Sequence, residues 1–400
     1  MRKQKWMAVL ALFSAMALVA AACGSSDVTA GTGGTDSGGE GGEPTELEGE
    51  PIVVGMIADL TGPTSDVGVD YFEGQKGYID YINANGGANG REIELVSQDY
   101  QYDVAIAEQL YEQFVSEGAV AFMGWGTGDT EALREKIAAD EVPFMSASLS
   151  EELADPSATP YNFLPASTYS EQMRVALKHI AEEGGTSVAV FHNDSPFGTS
   201  PLADGEKYIA DEGLDIAFEA IPMPGGVTDY VGQITQAGDV DYIVIQNVPS
   251  PAATLVRDLV SSGSDAQVIC LNWCGNEVLI ELAGEEAEGV LAVQPFLGAN
   301  SGAEGLTDIT ATGGDDVSIG YIHGWTAMRS MVTAISDVVE SGDEVTGPAI
   351  KEALEGQTLS TGGLSADISY SSDSHAGMTG APIQVVADGK WTTLKDVIVP

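Results

Sequence analysis

PIVVGMIADLTGPTSDVGVDYFEGQKGYIDYINANGGANGREIELVSQDY, residues 51–100, reads as one strand–helix–strand unit. Ile52 to Ala58 is a short apolar strand. Val69, Phe72, Gln75, Tyr78, Ile79 and Ile82 then recur at helical spacing, and Asn85-Gly86-Gly87 ends that helix. Ile93 to Val96 is a second strand. The unit repeats: a helix over 104–117, a strand from Ala119 to Met123, a helix around Ala132 to Ala139, and a strand from Val142 to Ser146. Such a run predicts a parallel sheet with helices on both faces. The pattern restarts with a helix from Ser170 to Glu183. Strands follow at Ser187–Phe191, Ile216–Ile221, Tyr242–Gln246 and Val268–Leu271, with helices between them. A long helix is expected from Ile319 to Val339. In the tail, Ile383–Ala387 and Trp391–Val397 flank Asp388-Gly389, a strong hairpin signal. The expectation is an α/β chain of two doubly wound parallel-sheet lobes. Ligands of such sheets sit at the carboxyl ends of the strands, which places a site in the cleft between lobes.

The 400 residues, 44% of them hydrophobic, suffice for two packed domains. The 61 acidic against 15 basic residues give a net charge of −46. That surface repels nucleic acid and anionic membrane, and its simplest role is a solvated coat. Residues 1–23 read as a secretory signal. Arg2, Lys3 and Lys5 form the positive start, Trp6 to Val19 the apolar run, and Ala20, Ala21 and Ala22 precede Cys23. The run is near the minimum length for a span, so an uncleaved anchor helix is the alternative. Both readings put the remainder outside the cytoplasm. Residues 24–50 are a Gly/Ser/Glu-rich tether with a reach on the order of 30 Å.

Small residues ahead of a single cysteine resemble a bacterial lipobox, which implies lipid on Cys23 and a membrane anchor through it. A second resemblance runs through the folded part. Leu60-Thr61-Gly62-Pro63 follows the first strand, and Ile82-Asn83-Ala84-Asn85-Gly86-Gly87, Gly90-Arg91 and Ile93-Glu94-Leu95-Val96 come after it in order. Asp99 with Asp103, Gly124, Val142-Pro143 before Ser146, Phe163 to Gln172, and Asp194 to Gly198 continue the set. From about Ile52 to the C-terminus the chain resembles the leucine/isoleucine/valine-binding protein family. The resemblance implies a type I periplasmic-binding fold, two doubly wound parallel-sheet lobes joined by three crossovers. Lobe 1 would be 51–166 plus 296–380, and lobe 2 would be 167–295 plus 381–400. The implied role is an extracytoplasmic solute-binding lipoprotein of an ABC importer, a monomer that captures a small ligand and hands it to a permease and its ATPase. No cofactor or metal is implied.

In that family backbone N–H groups and small hydroxyls on two loops hold the ligand's carboxylate. Helix N-termini present unpaired donors and the positive end of a dipole, so the assignment is physically sound. One loop matches Gly126, Thr127, Gly128 and Asp129. The other matches Ser146, Ala147, Ser148 and Ser150, with Ser148 offering backbone atoms and Ser150 its hydroxyl. Each serine also reads as a helix cap or turn former. A carboxylate at Asp129 would repel an anionic ligand group. Phe197 stands where the family has a tyrosine, and another family tyrosine falls near Val248 or Pro249. The acidic residue that holds the ligand's ammonium aligns near Trp273, whose ring face can hold a cation or stack on a ring but carries no charge. Trp125 lies at the matching entrance on the first lobe. Trp125, Trp273 and Phe197 would form an aromatic box, or serve as plain cleft wall. The expected ligand is an amino acid. The alternatives are an aromatic, amide, urea or quaternary-ammonium ligand, or a ligand-sensing receptor role.

Enzyme chemistry finds no constellation. Neither a Gly-x-Ser-x-Gly elbow, a His-Glu-x-x-His pair nor a Walker loop occurs, and Gly124, Gly126 and Gly128 are misspaced for a dinucleotide fingerprint. His179, His192, His323 and His375 are scattered, and none is clearly paired with a serine or cysteine. Asp59, Asp99 and Asp194 near strand ends read most simply as caps or turns. Cys270 and Cys274 suit a local disulfide in an exported protein, and equally two free buried thiols.

Overall fold

A computed structural model describes residues 47–400. The signal segment 1–23, the lipidation site Cys23 and tether residues 24–46 lie outside the described residues.

The first sheet contains β1 (Ile52–Ala58), β2 (Ile93–Asp99), β3 (Ala121–Gly124), β4 (Phe144–Ser146) and β5 (Asn162–Phe163), in the order β2-β1-β3-β4-β5 and parallel throughout. Helices α1 (Ser65–Ala84), α2 (Val104–Ser116) and α3 (Thr127–Asp140) connect them. Asp59 shapes the β1–α1 turn by accepting from the Gly62 and Thr64 amides, at 2.6 and 2.9 Å. Asp99 likewise accepts from Leu60 N–H at 3.0 Å, and Asp103 caps α2.

Helix α4 (Tyr169–Glu182), closed at its start by a Thr168/Glu171 capping box, leads to the second sheet. There β6 (Ser187–Asn193), β7 (Ala217–Met223), β8 (Tyr242–Gln246), β9 (Gln267–Cys270) and β10 (Leu291–Val293) are parallel. Between them lie α5 (Pro196–Thr199), α6 (Leu202–Glu212), α7 (Val231–Ala237), α8 (Pro249–Ser262) and α9 (Glu277–Ala283). The chain then returns to the first lobe as α10 (Leu306–Gly313), α11 (Ile319–Ser341) and α12 (Gly347–Glu355), with a small pair β11 (Thr358–Leu359) and β12 (Ile368–Ser369). It finally rejoins the second sheet as the hairpin β13 (Ala381–Ala387) and β14 (Lys390–Ile398), completing three passages between lobes. The second sheet is therefore mixed, because β13 runs antiparallel to β10 and β14 to β13. Asp388 and Gly389 both have positive φ, 52° and 71°, as a two-residue hairpin turn requires.

Two elements differ from the sequence expectation. Helix α3 starts at Thr127, not near Ala132, because Gly126-Thr127-Gly128 looks like loop yet supplies a helix N-terminus. The buried face of α1 is Val67, Tyr71, Gly74, Gln75, Tyr78 and Ile79, while Val69 is 39% exposed. Glycine carries no apolar signal, but here it marks the packed face. A Cβ on Gly74 would stand 2.1 Å from the Tyr321 carbonyl oxygen, and one on Gly324 would stand 2.0 Å from that of Tyr71. Helices α1 and α11 cross at backbone contact through these two positions. Among the described residues no helix is long and apolar enough to cross a membrane.

Candidate functional site

The carboxyl ends of the strands in both sheets face one cleft. From the first lobe come Thr64 at the start of α1, Tyr102 after β2, and Trp125, Gly126 and Thr127 after β3. From the second come Tyr169 opening α4, Phe197 in α5, Val248 after β8 and Trp273 after β9. The free volume they enclose is about 20 Å³, the space of one water molecule. Larger grooves exist, such as the one of about 1010 Å³ beside Arg134 and Glu171, but they are open surface away from the strand ends.

The two indoles fill the centre. The Trp125 and Trp273 rings lie 5.0 Å apart at 57°. Tyr71 packs on both, at 5.4 and 5.8 Å. Each indole is oriented within its own lobe. Trp125 Nε1 donates to Thr64 Oγ1 at 2.8 Å, and Thr64 Oγ1 donates to Asp59 at 2.6 Å. Trp273 Nε1 donates to the Tyr169 hydroxyl at 2.9 Å. A Cys270–Cys274 disulfide, with Cα atoms 5.5 Å apart, ties the loop bearing Trp273 to the end of β9. Behind Trp273 the ring of His323 stacks at 5.2 Å and Phe296 stacks on His323 at 4.3 Å. Burial pushes the His323 pKa down to about 3, so it is neutral, and its Nε2 has no partner among the described residues.

Trp125, Thr127, Phe197 and Trp273 thus line the cleft. Gly128 faces Pro196 of α5, across the mouth. Ser148 stands one hydrogen bond behind the wall, its Oγ 2.7 Å from Thr127 Oγ1. The Ser150 hydroxyl donates to Glu131 at 3.0 Å and accepts from Ser200 of the second lobe at 3.3 Å. Asp129 lies behind Gly126, only 2% exposed, with the Tyr100 hydroxyl donating to Oδ1 at 3.0 Å and Oδ2 unpartnered. Burial raises its pKa to about 7. Among the described residues no charged side chain lines the free volume. Among the described residues no cluster of His, Cys, Asp or Glu has the makings of a metal site.

Sequence reasoning missed Thr64, Tyr71, Tyr102, Tyr169 and His323. Tyr102 was findable as a ring just past the carboxyl end of β2. Tyr71 needed the correct face of α1. His323 has no local signal, because α11 brings it in from far along the chain.

Two further contacts bind the lobes together at the cleft's flank. Asp66 of α1 accepts from the amide and hydroxyl of Ser250, at 2.8 and 2.6 Å, in the first turn of α8. Helix α8 has no side-chain cap of its own, since its N-cap is Val248. In the reverse direction Glu277 of α9 accepts from Ile319 N–H, the first of α11, at 2.9 Å.

Comparison with known proteins gives a consistent set. The profile of a family described as "Periplasmic binding protein" matches residues 51–390. The leucine-, isoleucine-, valine-, threonine-, and alanine-binding protein of Pseudomonas aeruginosa is 24% identical over 325 residues, 79% of this chain and 85% of that protein. The chemotactic signal transduction system substrate-binding protein BasB of Halobacterium salinarum is 29% identical over 265 residues, 63% of this chain and 58% of that one. A branched chain amino acid ABC transporter structure from Thermus thermophilus with bound valine superposes with a TM-score of 0.82 at 28% identity, covering 88% of this chain and 97% of that one.

Proposed function

The chain belongs to the periplasmic binding protein family, whose members matched here are binding proteins and not enzymes, and from that premise we propose that it captures a small amino-acid-like ligand for an ABC importer. The observation that carries this reading is the convergence of strand ends from both sheets on one aromatic cleft, closed by contacts between lobes. In this role the lobes, 51–166 plus 296–380 and 167–295 plus 381–400, part and close on the ligand by hinge motion. The α3 N-terminus with Thr127, Gly128 and Ser148 receives the ligand's carboxylate. The permease reads the closed form, and lipid on Cys23 keeps the protein at the membrane.

The test is a thermal-shift titration of the protein with branched-chain and aromatic amino acids, amides, urea and betaines. A ligand at a hundred times its Kd stabilises the native state by about 2.7 kcal/mol, visible as a melting shift that grows with concentration. If no member of the panel moves the transition, the capture role is wrong. The likeness to BasB favours a second reading, a subunit that reports ligand to a chemotaxis transducer. Deleting the gene separates the two: an importer subunit loses ligand uptake, and a sensor loses taxis while uptake continues.

A further inference from the structure

Three ring planes meet at the centre of the cleft, and none is parallel to another. Trp125 and Trp273 are inclined at 57°, Tyr71 and Trp125 at 57°, and Tyr71 and Trp273 at 78°. A slot for a flat ring needs parallel walls. Mutually inclined walls form a corner, which suits a rounded group. The two indoles present faces and edges only, because both indole N–H groups are already donated, to Thr64 and to Tyr169. The Thr64 hydroxyl already accepts from Trp125 and donates its proton to Asp59.

A primary ammonium buried in that corner would bring three N–H donors to ring faces, with the Tyr71 hydroxyl, which has no partner among the described residues, as the acceptor nearest to hand. Unmade hydrogen bonds of a buried charge are costly. Among the described residues no carboxylate lines the space to repay that cost. A fully alkylated ammonium has no N–H to satisfy, spreads its charge over its methyl groups, and is attracted to ring faces within about 6 Å of their centroids.

Resting on the capture role proposed above, we propose that the ligand is an N-trialkylated amino acid, its quaternary ammonium seated among Tyr71, Trp125 and Trp273 and its carboxylate turned to the start of α3. The rings already touch, so the cation enters by parting the two indoles. Each keeps its orientation as they part, since Trp125 is held by Thr64 of its own lobe and Trp273 by Tyr169 of its own.

The experiment is a matched-pair titration of the full-length protein by calorimetry and by indole fluorescence. Valine is compared with N,N,N-trimethylvaline, and glycine with N,N,N-trimethylglycine. The expected result is that each trimethylated member binds at least tenfold more tightly than its parent, with a change in tryptophan emission. Trp273→Phe should weaken the trimethylated ligands by about tenfold, and Trp273→Glu should narrow or reverse the preference by restoring an acceptor for N–H groups. The wild-type pair decides the matter even where a variant fails to fold. Valine binding as tightly as its trimethyl form overturns the inference and leaves the capture role standing. Binding of none of the four, alongside an unmoved melting transition across the wider panel, overturns both.

Discussion

Asp129 accepts a side-chain hydrogen bond from the Tyr100 hydroxyl, and among the described residues no cation lines the cleft wall. Burial raises its folded pKa to about 7, above the ordinary 3.8. The folded state therefore binds a proton that the unfolded chain gives up between these values. This group's contribution is most favourable below about pH 4, declines as pH rises to about 7, and is level above. Asn at 129 keeps the acceptor for Tyr100 and never ionises. Asp129→Asn should match wild type near pH 4 and exceed its stability at pH 8 by up to roughly 4 kcal/mol, measured by urea unfolding at both values. The sequence shows that a carboxylate at 129 conflicts with an anion site. It does not show that the side chain turns behind Gly126. The same limit applies to Ser150, whose type fits a ligand contact but whose hydroxyl is committed to Glu131. His375 reads as a residue of a polar loop, yet it is fully buried, stacked on Phe163 at 4.0 Å and bonded to the Asn162 carbonyl. Composition gives a residue's chemistry, and its partners come from elsewhere in the chain.

Helices α1 and α11 are the element-scale support of the cleft, because Tyr71 and His323 project from their interface against the indoles. Gly324→Ala places a methyl against the Tyr71 carbonyl and forces the helices apart. A loss of about 1–3 kcal/mol is expected from overpacking, together with weaker ligand binding as Tyr71 shifts. Gly74→Ala disturbs the same crossing at Tyr321 and should lower stability by a similar amount. The disulfide closes a ring only four residues in sequence separation. Loop entropy assigns such a ring about 2 kcal/mol, so Cys274→Ser should lower stability by that order and loosen the placement of Trp273. Strands and the Asp388-Gly389 hairpin were legible because period, β-branching and turn chemistry are local. The α1 face, the start of α3 and the two-residue β5 were not, since each depends on glycine or on a neighbour distant in sequence.

At the scale of the molecule, two α/β lobes with a cleft at the strand ends follow from alternation of elements and the right-handed crossover rule. The closed arrangement, with one indole from each lobe in tilted contact, depends on residues such as Trp125 and Trp273 that no local pattern brings together. Self-repulsion among the carboxylates opposes compactness. Raising salt from 0.1 to 1 M shortens the Debye length from about 10 to about 3 Å, and the melting temperature should rise accordingly. The carboxylates at 66 and 277 have a further consequence. Each terminates a helix of the opposite lobe, so shutting the cleft completes two helix ends that separation would hand to water. The two contacts bias the molecule toward the shut form, which a ligand has to open in order to enter. Apparent affinity falls by the fraction of molecules found open. Asp66→Ala, which removes one of these couplings, should accelerate ligand entry in stopped-flow fluorescence, a gain of function from the loss of a bond.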